Sequence, residues 1–372
     1  MNRKRVPLLT AIIPIYNGEK NLRETLNNIL QIKYQALELL LINDGSSDSS
    51  DMICREYEAL DERIHYIRQE NRGIAASRNR GLDLARGEYI CFWDQDDIVL
   101  EEGYFELLDK IQNESAQMGM CSTSRLIQGK ASNYESLQDR IYSGEGIQKG
   151  LLYPLLFRGY QYDFVDVGNY LYGSVWKCIF RTDFIRYNYI QFQKFVNYED
   201  DWIFVTHALS CAQKVVTISQ AGYCWRINEN SESHKGIYVS DLQKRFKALD
   251  EYVFKYLKNS IKDETILDEY KKVNLCEHYV ELYRNTANVR LTYIRECHKN
   301  VKEYLYDTSY KSQLLCRKKL RKSAYRRRIV LNSLQYGGIA ITYLVSRVYD
   351  RLEHWMERIQ WIVDIERRHK MK

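Results

Sequence analysis

The sequence predicts an α/β fold with a mostly parallel central sheet, followed by a C-terminal helical extension. Three observations lead there. Between residues 8 and 93, short apolar runs alternate four times with segments of helical period. Those runs lack the period-two polarity of a half-solvated strand, as expected where helices cover both faces of a parallel sheet. From about residue 240 onward turn signals become rare, and helical spacing dominates as far as "YGG" at 336–338.

The elements follow in order. "LLTAIIPI" (8–15) reads as a buried strand, and 18–30 as a helix with Leu22, Leu26, Ile29 and Leu30 on one face. "LELLLI" (37–42) is a second strand. The turn "DGSSDSS" (44–50) then offers Asp48 or Ser49 as a cap for the helix "DMICREYEAL". A third strand spans 64–69, a helix 73–85 and a fourth strand "EYICFW" 88–93. Beyond Asp97 the pattern predicts a helix at 101–112 and a short strand near 117–123. The aromatic-rich stretch 130–235 holds helices around "SVWKCIF" (174–180) and "DDWIFVTHALS" (200–210). The expected division is 1–120, 121–235 and 236–372.

Composition narrows the class. An apolar content of 45% with only three prolines suits a folded, element-rich chain. The nine cysteines are scattered without metal-ligand spacing, which suits reduced thiols in a cytosol. The opening "MNRKRVPLLTAIIPIYN" begins like a signal peptide. Its apolar run is broken by Pro14, Tyr16 and Asn17, and it reads as a mature strand. No uninterrupted apolar stretch reaches the ~20 residues of a clean transmembrane helix.

Three polar clusters fall at strand ends: "YNGE" (16–19), "NDGSSD" (43–48) and "DQDD" (94–97). Open parallel sheets bind ligands beyond the carboxyl ends of their strands, so three loops converging on one edge mark a site. Three carboxylates within four positions repel one another, and a bound cation or simple solvation can compensate them. Asp94 and Asp96, two apart in a turn, can face one Mg²⁺ or Mn²⁺, ions that take oxygen ligands and need few protein carboxylates beside a diphosphate. "YEDD" (198–201) offers Glu199, Asp200 and Asp201 before an apolar helix, either as helix caps or as a general base.

"AIIPIYNGEKNLRETLNNIL", "LLLINDGSSDSS" and "ENRGIAASRNRGLDLARGEYICFWDQDD", in that order and spacing, resemble the family-two inverting glycosyltransferases of the GT-A nucleotide-sugar-binding fold. "YGSVWKCIFRTDFI" and "YEDDWIF" resemble the acceptor half of bacterial capsule and cell-wall members. The resemblance covers about 8–235. It implies that Tyr16 and Glu19 line the nucleotide pocket and that Asp44 accepts a hydrogen bond from uracil. Arg78 would lie near the diphosphate or order the metal loop. Asp94 would contact ribose or metal-bound water, Asp96 would bind Mn²⁺ or Mg²⁺, and Asp200 would be the base; of the three acids at 199–201, Asp201 is the one read from the residues themselves as the helix cap. Arg226 would contact phosphate, and His234 would ligate the metal or touch the diphosphate. Trp176 and Trp202 read as packing residues. Two departures stand out: Asn43 where the family more often has Asp, and Gln95 where Ser is common.

"RKKLRKSAYRRR" (317–328) carries eight basic residues and no acid, ahead of a mostly apolar segment at 329–349. The pair suits an arm lying on an anionic membrane surface, or a packing or homo-oligomerisation element. Nucleic-acid binding is not expected, because stacking positions and a known module are missing. The expectation is a metal-dependent enzyme transferring sugar from a UDP-sugar to a glycan acceptor, lipid-linked, at the cytoplasmic face of the plasma membrane. The alternative is an inactive GT-A-fold scaffold, which would be expected to lose Asp44, Asp96 or Asp200.

Overall fold

The computed structural model describes residues 7–127, 129–165, 171–195, 200–227 and 239–287. Beyond 300 it describes 301–305, 307–308, 314–319, 327–334, 336, 342 and 345. The described residues fall into two compact units. One comprises those up to Arg158, Phe164–Ser231 and Lys255–Ser260. The other takes Gly159–Asp163, Glu232–Phe254 and those from Ile261 on.

The first unit is built on one sheet. β1 (Leu9–Ile15), α1 (Glu19–Leu30), β2 (Leu37–Asn43), α2 (Ser50–Leu60), β3 (Ile64–Arg68), α3 (Ile74–Leu84) and β4 (Tyr89–Phe92) form the expected alternation. β1 lies between β2 and β4 and β2 pairs β3, all in parallel. Ile12, Ile13, Leu39, Leu41, Ile90 and Phe92 are fully buried, which is why these strands read as unbroken apolar runs. α3 sits close on β1: a Cβ at Gly81 would stand 2.3 Å from Ile12.

β5 (Ile98–Val99), α4 (Glu101–Glu114), β6 (Met118–Ile127), β7 (Lys130–Glu135) and β8 (Arg140–Ser143) follow. A helical stretch comes next: α5 (Glu145–Ile147), a π-helical turn and α6 (Tyr153–Leu156). β9 (Cys178–Arg181), α7 (Thr182–Tyr187), α8 (Asp200–Cys211) and β10 (Lys214–Arg226) complete the unit. The sheet order is β3-β2-β1-β4-β9-β6-β10-β5, with β7 on β6 and β8 on β10. β6 and β10 run parallel, whereas β9 is antiparallel to both β4 and β6.

One expectation fails here. "SVWKCIF" is a 3₁₀ turn at Val175–Lys177 followed by β9, not a helix. Its backbone is taken by strand pairing with β4 and β6, a long-range constraint that overrides local spacing. α8 is held against the sheet by aromatic packing. Phe204 stacks on Phe192 at 4.2 Å, and both rings meet Phe92 edge-on at 5.4 and 4.9 Å. That cluster fixes the N-terminus of α8 beside the end of β4.

The second unit contains the start of α9 (Leu242–Ser260) and α10 (Glu264–Ala287). Phe246 stacks on His278 at 3.9 Å. Asn274 donates to Asp250 at 2.6 Å, and Tyr160 and Tyr162 donate to Glu277 and Glu269, each at 2.9 Å. Among the described residues no helix is long and apolar enough to cross a membrane.

Candidate active site

Each predicted loop leaves a strand at the same edge of the sheet and is fastened to its neighbour. After β1, Asn17 takes a left-handed conformation (φ 46°), which turns the chain into α1. Its amide donates to Ser46 Oγ at 3.0 Å, and its Oδ1 accepts from Ser47 N at 2.9 Å. The Glu19 amide donates to Asp48, while Glu19 Oε2 accepts from Ser49 N. Asp48 Oδ1 accepts from Ser50 N at 3.0 Å, so Asp48 rather than Ser49 serves the start of α2. Glu19 is thus committed in part to holding the α2 turn. Tyr16 remains 43% exposed.

Asp44 is buried at the end of β2. Its carboxylate accepts from Gln69 Nε2 (2.8 Å), Arg72 N (2.9 Å) and Gly73 N (2.7 Å), three donors that pin the turn into α3. Gly73 adopts φ 88°, a conformation that side chains rarely take, so the turn needs glycine. The neighbouring Asn43 amide holds its own turn: Oδ1 accepts from Ser46 N, and Nδ2 donates to Tyr66 OH.

Arg78, on α3, is 2% exposed and gathers acids from two parts of the chain. Nη2 donates to Asp94 Oδ1 at 3.1 Å; Nη1 donates to Asp200 Oδ2 at 2.9 Å and to Asp201 Oδ1 at 2.5 Å. The Phe192 ring lies 5.1 Å beneath the guanidinium. Burial disfavours the charge on Arg78, but Asp201, Asp94 and Asp200 outweigh it and hold the group above its ordinary value. Arg78 thereby ties the Asp94 loop to the start of α8.

Asp201 does not cap α8 by accepting from that helix's own amides. Oδ2 accepts from Val175 N at 3.2 Å and Oδ1 from Arg78, so both oxygens are engaged across the fold. Burial pushes its carboxyl up to about 7 against the opposing pull of Arg78. Asp200 shares Arg78 through Oδ2, and among the described residues no donor reaches its Oδ1. Glu199 and His234 lie outside the described residues.

The acid loop is held from behind. The Asp94 amide donates to the buried Tyr223 hydroxyl at 2.9 Å, and Tyr223 stacks on Trp176 at 4.7 Å. Thr25 Oγ1 donates to the Asp97 carbonyl at 3.0 Å. Arg226 lies against this loop: its amide donates to Asp97 Oδ1 at 2.7 Å, its Nε to the Asp96 carbonyl at 2.9 Å, and its head pairs with Glu24. Asp97 is 1% exposed. Burial, with Asp94 and Asp96 beside it, drives its carboxyl well above the usual carboxylate range. Its Oδ2 has no hydrogen-bond partner among the described residues.

Residues 10–184 match the sequence model described as Glycosyl transferase family 2. Over that segment the chain is similar to glycosyl transferase family 2. The glycosyltransferase GlyA of Streptococcus pneumoniae is 29% identical over 231 residues, 60% of this chain but only 31% of its own length. The uncharacterized glycosyltransferase EpsJ of Bacillus subtilis is 24% identical over 307 residues, 81% of this chain and 85% of its own. The crystal structure of S. aureus TarS 1-349 in complex with UDP-GlcNAc shares the fold, with a TM-score of 0.65 at 17% identity over 92% of each chain.

Within this fold, Asp44, Arg78, Asp94, Asp200 and Arg226 are tied into the strand-end network. Sequence reasoning missed Tyr223 and the bonds of Asp201, an acid of α8's first turn, to Arg78 and Val175. It noted Gln95 only as a departure from the family pattern and gave Asp97 no role of its own. Asp97 was visible inside "DQDD", but nothing local marked it as the buried member. Tyr223 lies 129 residues from the amide it receives, a pairing that only the fold reveals.

Proposed function

We propose that this family 2 enzyme transfers a sugar, with inversion, from a UDP-sugar to a hydroxyl of a glycan acceptor. The acceptor is lipid-linked and belongs to bacterial surface polysaccharide or teichoic-type polymer synthesis at the cytoplasmic face of the membrane. The observation that carries the reading is the convergence on Arg78 of Asp94, from the nucleotide half, with Asp200 and Asp201, from the acceptor half. One buried cation thereby ties the loop suited to a diphosphate to the carboxylates suited to proton removal. The choice of uridine is supported by the resemblance at Tyr16, Glu19 and Asp44 and by UDP-GlcNAc in TarS, which has the same fold.

In this mechanism Asp200 Oδ1 accepts the acceptor hydroxyl proton as that oxygen attacks the anomeric carbon from the face opposite UDP. The glycosidic bond forms, the bond to the diphosphate breaks, and its electron pair leaves with UDP. Asp201 and Arg78 fix the carboxylate's position. A carboxylate within hydrogen-bond reach suffices as base and contributes typically 10²–10⁴-fold.

The donor set fits a hard divalent cation. Asp94 and Asp96 offer oxygen ligands only, and among the described residues no group of three His, Cys, Asp or Glu side chains is placed to hold an ion by itself. That suits Mg²⁺ or Mn²⁺ held jointly with a diphosphate, with Asp96 as principal ligand, Asp94 beside it, and His234 as a further candidate. Such an ion, when bound, offsets charge building on the UDP leaving group.

The test incubates purified full-length protein with a panel of UDP-sugars and Mn²⁺ and follows UDP release, with GDP- and CDP-sugars as controls. Release from one UDP-sugar, abolished by Asp96→Ala, is the expected result. Equal UDP affinity in wild type and Asp96→Ala, with and without Mn²⁺, would sink the metal role. No release from any donor returns the chain to the scaffold reading.

A further inference from the structure

Gln95 is the middle residue of the acid cluster, at a position where the resembling family commonly carries serine. Its side chain is half-buried and is held by the backbone of the neighbouring loop. Nε2 donates to the Tyr16 carbonyl at 3.0 Å, and Oε1 accepts from the Tyr16 amide at 3.0 Å, so the carboxamide closes a reciprocal ring with one backbone residue. The fit is close on the other side as well. A Cβ at Gly18 would stand 2.2 Å from Gln95 Oε1, so the glycine leaves the room the amide occupies. A serine, two bonds shorter, cannot span this distance.

The bridge joins two loops with different expected partners. Tyr16 ends β1 and is the residue expected to face the nucleotide base. Gln95 stands between Asp94 and Asp96, the residues expected to face diphosphate and metal. Tyr16 is otherwise exposed, and the next residue, Asn17, holds a left-handed conformation. Free backbone of that kind is costly to order at the moment of binding. We propose that Gln95 is a positioning residue that fixes Tyr16 before nucleotide arrives and couples base binding to the acid loop. Resting on the proposed UDP-sugar reading, this assigns nucleotide affinity to a residue that need not touch the nucleotide.

The chemistry separates amide bonding from bulk. Gln95→Met keeps length and apolar contact with Gly18 but neither donates nor accepts through its tip. Gln95→Glu keeps the acceptor for the Tyr16 amide, loses the donor, and sets a carboxylate against the Tyr16 carbonyl.

Two measurements on the full chain test the proposal. The first is amide exchange at Tyr16 without ligand. The Tyr16 amide should exchange at least several-fold faster in Gln95→Met, because its acceptor, Gln95 Oε1, is gone. The second is calorimetric UDP affinity with Mn²⁺ present. Removing two hydrogen bonds should weaken UDP by roughly tenfold in Gln95→Met and at least as much in Gln95→Glu. Rate at saturating donor should stay within about twofold, the split expected of a residue that acts through binding. Unchanged exchange at Tyr16, or UDP affinity within about twofold of wild type in Gln95→Met, overturns it. Wild-type protein that fails to bind UDP discards the nucleotide reading and this coupling with it, while the exchange result still reports whether the bridge orders Tyr16.

Discussion

Arg78 meets three carboxylates with one positive charge, and that imbalance governs the residue-scale chemistry. Asp201, pushed up to about 7 by burial, relieves it by holding a proton below that pH. The consequence for stability has a definite sign. An acid whose folded value is raised binds its proton more tightly in the native state than in the unfolded chain, where aspartate sits near 3.9. The stabilisation is fully present below the unfolded value and is lost as pH rises towards about 7. Asp201→Asn should therefore flatten the fall in the urea midpoint between pH 4 and 7; an unchanged slope means Asp201 does not titrate there. Asp200→Asn tests the other member. Keeping shape but not basicity, it should lower the transfer rate by 10²–10⁴-fold with donor binding nearly unchanged. A fall of less than about tenfold moves the role to Asp201 or Glu199.

At the scale of elements, the 3₁₀ turn and β7 are joined by a pair hidden from water. Lys177 Nζ lies 2.6 Å from Glu135 Oε2 with both side chains essentially inaccessible, and Glu135 Oε1 accepts from the Tyr172 amide. The same short segment supplies the Val175 amide to Asp201, so this buried pair sets the backbone that anchors an active-site carboxylate. Removing one partner leaves a buried charge alone and should cost about 3–5 kcal/mol, whereas Glu135→Leu with Lys177→Met should recover most of that loss. Denaturant midpoints of the two singles and the double check it; singles within 1 kcal/mol of wild type would falsify the assignment. This region also marks where local reading stopped. Trp176, Ile179 and Phe180 recur at helical spacing, and short apolar runs cannot be told apart by period alone. β10 escaped for a related reason, since its register shifts between Ile218 and Tyr223 and breaks the alternation a strand would show. By contrast β1 to β4 were legible because both faces of each are covered and the apolar runs are continuous. The strand-end loops were legible with them, as polar clusters at fixed places in that alternation. Their mutual bonding was not, because Arg78 and Asp200 meet across 122 residues of chain.

For the whole molecule, the open question is what the basic block does, and the helical unit already uses part of it. Arg327 Nε donates to Glu277 Oε2 at 2.6 Å, the same carboxylate that receives the Tyr160 hydroxyl, and Lys319 lies 5.5 Å from the Tyr162 ring centroid. Among the described residues of the block at 317–328, Arg327 and Lys319 thus have partners inside the unit, while Lys318 is exposed. A lysine or arginine near anionic lipid contributes about 1 kcal/mol, so each cation spent internally lowers the surface attraction by a comparable amount. A block with eight basic residues and no acid still predicts binding that is electrostatic in kind. Full-length protein should float with vesicles containing anionic lipid at 0.1 M salt and not with neutral ones. It should be released at 1 M, where the Debye length has shrunk from about 10 Å to 3 Å. Lys318→Glu should shift release to lower salt, because it reverses an exposed charge without touching the Arg327–Glu277 pair. Glu277→Gln should instead lower the thermal midpoint, since it weakens that pair inside the unit. Protein that ignores anionic vesicles at 0.1 M salt, while Glu277→Gln still destabilises it, assigns the block to packing of the helical unit and leaves the acceptor to reach the site without a membrane-held enzyme.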